Sequence, residues 1–103
     1  MPTADPLSNK EIADRLAELP GWELSADGAA LVRTYRLAHL PAAIFAVHIA
    51  QVQNELDHHS DLTLGYNTLG VAITTHSAGG RLTWKDFGLA ARIAALAPAH
   101  GAE

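Results

Sequence analysis

Two adjacent histidines, His58 and His59, stand in the run Asp57-His58-His59-Ser60-Asp61, and a third, His76, follows eighteen positions after the first. Imidazole is the side chain whose ordinary pKa lets it give or take a proton near neutral pH. Three such rings suit acid–base chemistry on a neutral organic molecule. They suit a zinc ion with an open fourth position equally well. Asp86 adds a carboxylate that could orient one ring and fix its tautomer. Each residue also has a plainer use. Cationic histidines complement a helix C-terminus, and an acidic residue in a first helical turn bonds back to the cap.

The doublet can serve one pocket only under a geometric condition. Neighbouring side chains diverge by about 100° on a helix and point to opposite faces in a strand. Both rings therefore need a junction where a helix unwinds into a loop. The flanking sequence supplies one. Pro41 suits a first helical turn, and Phe45, Ile49, Val52 and Leu56 recur at helical spacing with Ile44 alongside, running straight into the doublet. Leu62–Tyr66 and Leu69–Thr75 then read as paired strands turning at Asn67-Thr68. Leu69, Val71 and Ile73 mark the core face of the second strand. A hairpin there returns the chain towards its start, which brings His76 near the doublet.

The remaining elements frame this pair. Ser8 and Glu11 form a capping-box pattern, with Leu7 able to staple onto Ile12. Ile12, Leu16 and Leu19 give that helix its apolar face, and Pro20-Gly21 stops it. Trp22–Leu24 and Leu31–Leu37 read as strands around an Asp27-Gly28 turn. Trp22 reads as core, with the wall of a flat-ring pocket as its other use. Ser77–Gly80 is a loop, and Thr83 opens a last helix with Asp86 three residues on and Leu82 against Phe87. Phe87, Ala90, Ile93, Ala94 and Ala97 supply its buried face, and Pro98–Glu103 reads as a tail. His39, His48 and His100 read as surface residues. The order α-β-β-α-β-β-α predicts an α+β fold, a four-stranded antiparallel sheet with three helices packed on one face. The other sheet face must be polar or covered.

Composition narrows the function. At 103 residues, about half of them apolar, the chain predicts one domain over 1–103 with its core at about 8–97. The small burial margin makes association natural. A net charge of −4 without a Lys/Arg run argues against nucleic acid as a partner. No apolar run is long enough to span a bilayer, and Met1–Asp5 shows no signal-peptide pattern. Zero cysteines exclude disulfides and thiolate chemistry and fit a reducing cytoplasm.

The run Glu55-Leu56-Asp57-His58-His59-Ser60, with Tyr66-Asn67, Thr74-Thr75-His76 and Asp86, resembles the pterin-4a-carbinolamine dehydratases. Gly21-Trp22 ahead of a strand and Phe45 on the second helix fit the same pattern, over roughly Ser8 to Ala97. The resemblance implies dehydration of a 4a-hydroxytetrahydropterin to the quinonoid dihydropterin, recycling tetrahydropterin with no metal and no organic cofactor. It implies that His58 and His76 are proton donors flanking the 4a-carbon, that His59 positions the pterin, and that Asp86 holds an imidazole. Trp22, Asp57, Ser60, Asp61, Thr74 and Thr75 would contact the substrate. It also implies a homodimer or a homotetramer built through sheet edges or faces. Three departures are visible: Ser60 where proline is commoner, which predicts a less rigid loop; Asn54 where many members carry an acid; and a loop before Arg81 one residue longer than in some relatives. Two alternatives stand beside this reading. One is a three-histidine metal site completed by Asp86 or Asp61; the other is a non-catalytic dimerisation or assembly module of the same fold.

Overall fold

The computed structural model describes residues 5–103, the Ser77 side chain excepted. The first four residues of the expected lead-in lie outside them. Helix α1 (Asn9–Leu16) starts where the capping box places it: the Ser8 N–H donates to Glu11 Oε1 at 2.9 Å, and the Glu11 N–H donates to Ser8 Oγ at 3.1 Å. It ends before Pro20, because the Glu18 and Leu19 N–H groups bond three residues back and tighten the last turn.

Strand β1 is only Glu23–Leu24, and it joins β2 (Leu31–Arg36) through a turn in which Asp27 Oδ1 accepts from Ser25 Oγ and the Ala29 N–H. Gly21 precedes β1 for two reasons. Its φ is +87°, and an added Cβ would lie 1.3 Å from Arg33 Nη1, whose guanidinium passes over the Tyr35 ring.

Helix α2 (His39–Leu56) buries Ala42, Phe45, Ile49, Val52 and Gln53. Ile44 and Leu56, expected on that face, are largely exposed. Ile44 sits one residue, about 100°, off the buried stripe. Leu56, the last helical residue, lines a small cleft with Trp84 instead of the core. Strand β3 (Ser60–Leu64) follows the doublet directly, two residues earlier than expected, and turns through Gly65-Tyr66-Asn67 into β4 (Thr68–Ile73). After a 3₁₀ turn at His76–Ala78, helix α3 (Trp84–Leu96) completes the layer.

The sheet order is β1-β2-β4-β3 and every pairing is antiparallel, with the helices packed on one face. This is the expected α+β architecture. Leu31, Tyr35, Leu69, Val71 and Ile73 point to the helices and are buried. The other face carries Glu23, Val32, Thr34, Arg36, Asp61, Thr63 and Thr68 around Gly70 and Ala72, so it is mostly polar and small-surfaced.

Trp22 meets Tyr35 edge-on at 6.3 Å, and Tyr35 meets Phe45 at 5.4 Å. Burial pushes the Tyr35 phenol above its ordinary value, opposed in part by the Arg33 charge. Two expectations fail at the C-terminal end. His100 stacks on Phe45 at 4.8 Å, and its Nε2 lies 2.9 Å from His48 Nδ1, so neither histidine is a free surface residue. The residues after Pro98 are no loose tail either, since Glu103 exchanges two backbone hydrogen bonds with Arg36.

Candidate active site

The junction forms because one residue turns the chain. Asp57 takes φ +52°, the left-handed conformation that ends a helix, and it is the only non-glycine described residue with positive φ. His58 and His59 follow, outside helix and strand, before β3 begins. The two meet different surroundings. His58 turns inward and is buried, whereas His59 is exposed.

His58 Nε2 donates to Asp86 Oδ1 at 2.7 Å. The neutral ring then keeps its lone pair on Nδ1. Asp86 is fully buried, and its other oxygen accepts from the Thr83 N–H and from Thr75 Oγ1, both at 2.8 Å. With Thr75 donating to Asp86, the Thr83 hydroxyl donates to Thr75 Oγ1, and Thr83 Oγ1 in turn accepts the Lys85 N–H. Asp86 therefore does two jobs with two oxygens. Oδ2 closes the capping box of α3, and Oδ1 orients a histidine.

The hairpin register explains how Thr75 arrives there. Ser60 pairs with Ile73, so the residues before β3 run beside those after β4, and Thr75 reaches the same carboxylate as His58. His76 comes next and is exposed at the start of the 3₁₀ turn. The backbone thus draws the three histidines to one corner of the sheet, where His58 is buried and His59 and His76 are exposed. Only His58 lines the cleft of about 180 Å³ beside it, whose other walls are Leu56, Trp84, Lys85, Gly88 and Arg92. A larger cleft of about 480 Å³ lies elsewhere, between α1, the β1–β2 turn and Gly80–Leu82.

The other expected contact residues divide. Thr75 is in the network, and Ser60 bonds Gln53. Thr74 Oγ1 donates to the Ala29 carbonyl at 2.6 Å. Asp57 is exposed and serves the helix end. Asp61 projects from the open sheet face, opposite the helices, because it alternates with Ser60 and Leu62. Trp22 is in the core, as its first reading had it. It precedes the edge strand β1, three strands from β3, which is about 14 Å at ordinary strand spacing. Sequence reasoning missed Thr83 as a network member and Gln53 altogether. A glutamine within the apolar period of α2 was the available signal.

A shared metal does not suit this arrangement. His58 and Asp86 bond each other instead of a common ion, Asp61 is on the wrong face, and no three His, Cys, Asp or Glu side chains are gathered for a metal among the described residues.

The family model for pterin 4 alpha carbinolamine dehydratase matches residues 5–96. The chain belongs to that family. Two relatives carry the name "Putative pterin-4-alpha-carbinolamine dehydratase". One, from Streptomyces avermitilis, is 62% identical, the match covering 95% of this chain and 96% of that protein. The other, from Chloroflexus aurantiacus, is 50% identical, the match covering 84% and 91%. A crystal structure titled transcriptional coactivator/pterin dehydratase, from Brucella melitensis, superposes with a TM-score of 0.83 at 27% identity, covering 88% of this chain and 97% of that one. Among the described residues no helix is long and apolar enough to cross a membrane. Within this dehydratase family frame, the His58–Asp86 pair and the exposed His59 and His76 occupy the corner where β3 begins and β4 ends.

Proposed function

We propose that this chain dehydrates a 4a-hydroxytetrahydropterin to the quinonoid dihydropterin and water, recycling a tetrahydropterin in the cytoplasm. The observation that carries the reading is the buried 2.7 Å bond between His58 and Asp86 at the corner that also holds His59 and His76. The carbon–oxygen bond at C4a breaks as an imidazolium protonates the departing hydroxyl. The neighbouring ring nitrogen loses its proton to a second imidazole as a carbon–nitrogen double bond forms. One proton enters and one leaves, so no redox partner is needed. His58 and His76 handle these protons, each transfer contributing roughly 10²–10⁴-fold. Asp86 fixes the His58 tautomer, leaving Nδ1 for exchange with substrate, and exposed His59 positions the pterin.

The test generates the 4a-carbinolamine in situ and follows its ultraviolet decay. His59→Ala should lower the catalysed rate by about 10²-fold with folding unchanged. A rate equal to wild type would remove His59 from the chemistry.

A non-catalytic assembly role is the second reading, and one observation favours an added interface. Leu40, Ile44 and Val47 are 69, 53 and 64% exposed along one side of α2. We read this stripe as a contact for a second copy, giving the homodimer or homotetramer. Sizing by light scattering tests it, and a monomer at all concentrations would refute it.

A further inference from the structure

Gln53 is buried on α2, five positions ahead of the doublet, and the dehydration chemistry makes no use of it. Its two polar ends both face the junction. Its main-chain oxygen accepts the His58 N–H at 3.1 Å. Its side-chain Oε1 accepts the Ser60 N–H at 3.0 Å and the Ser60 hydroxyl as well. One residue thus grips the chain immediately before and immediately after His59.

That grip matters because of what surrounds it. Asp57 has left the helix, β3 has not begun, and His59 is exposed. His58 is fixed through its ring by Asp86, and His59 is flanked by the two residues that Gln53 holds. The looser loop expected from Ser60 is therefore tied down by a side chain arriving from the preceding helix.

We propose that Gln53 is a positioning residue, clamping the His58–Ser60 segment so that His59 stands in register with His58 and His76. The proposal rests on the dehydratase reading given above. Misplacing a positioning group by about 1 Å costs up to 10²-fold in rate. A clamp that only limits excursions is expected to matter less than that.

The experiment compares wild type, Gln53→Ala and the double variant Gln53→Ala/Ser60→Pro. Proline is tolerated at the first residue of a strand, fixes φ, and lacks the N–H that would have lost its acceptor. Gln53→Ala should lower kcat about tenfold with KM changed less than about twofold, and the double variant should recover most of the loss. A merely structural role would not be repaired by proline. A folded Gln53→Ala enzyme with wild-type kcat, or a double variant no faster than the single, would overturn the clamp. If Gln53→Ala does not fold, Ser60→Ala removes only the hydroxyl bond and should lower kcat about threefold, an unchanged kcat overturning the proposal. An inactive wild type would refute the dehydratase reading, and amide exchange then tests the clamp itself. The Ser60 amide should exchange about tenfold faster in Gln53→Ala, and an equal rate would overturn it.

Discussion

Helices α1 and α3 begin with the same device and put it to different ends. Ser8 with Glu11, and Thr83 with Asp86, are both capping boxes in which an acidic side chain bonds back to the cap backbone. Glu11 is exposed, and the Ser8 backbone N–H, helped by the Ser8 hydroxyl, holds its carboxyl below the ordinary value. Asp86 is fully buried and accepts from three donors, one of them an imidazole. The lesson is that the motif starts a helix in either setting. It joins a site only when burial leaves the second oxygen facing another element.

The largest effects should come from the buried box. Asp86→Ala strands the His58, Thr75 and Thr83 donors away from water, and urea unfolding should show a loss of about 3–5 kcal/mol. A loss under about 1 kcal/mol would mean water reaches the carboxylate in solution. Asp86→Asn keeps the shape but has one oxygen. With that oxygen on the cap, its amide would donate to His58 and force the opposite tautomer. Dehydration should fall by about 10²-fold or more while folding largely survives, with nitrogen NMR of the His58 ring reporting the tautomer. An unchanged tautomer would break the contrast between the two boxes.

The smallest effect belongs to α1. The Glu11 pKa is depressed on folding, so its contribution is present above the ordinary value of 4.5 and disappears as pH falls through the lower folded value. Wild type should therefore unfold at a higher midpoint than Glu11→Gln at neutral pH, the gap closing as pH falls below 4.5 and through the lower folded value. Dehydration rates of the two should match. A gap independent of pH would take the carboxylate out of the cap.

Much of the scaffold was legible because its signals are local. Ser8 and Thr83 announce helix starts, Asp27-Gly28 a turn, and Leu69, Val71 and Ile73 a core face, each within a few residues. What resisted reading depends on distant partners. Trp22 reads as core from its type and place, and the strand order adds how far from β3 it lies. His48 and His100 look polar and peripheral one at a time, and they become half-buried because the last turn folds onto Phe45. His58 and His59 are adjacent in sequence, but one is buried and the other exposed because the left-handed Asp57 takes the chain out of the helix just before them. Gln53 stands out as a glutamine within an apolar period, but its role is set by where Ser60 returns.

The backbone exchange between Arg36 and Glu103 has a consequence for solubility. Strand β1 reaches only Leu31 and Val32, so the far half of β2 would present bare N–H and C=O groups, the kind of rim on which stray chains polymerise. Glu103 occupies one such station. Clipping the last few residues would turn a sealed margin into an adhesive one, and the damage would surface as clumping long before chemistry suffered.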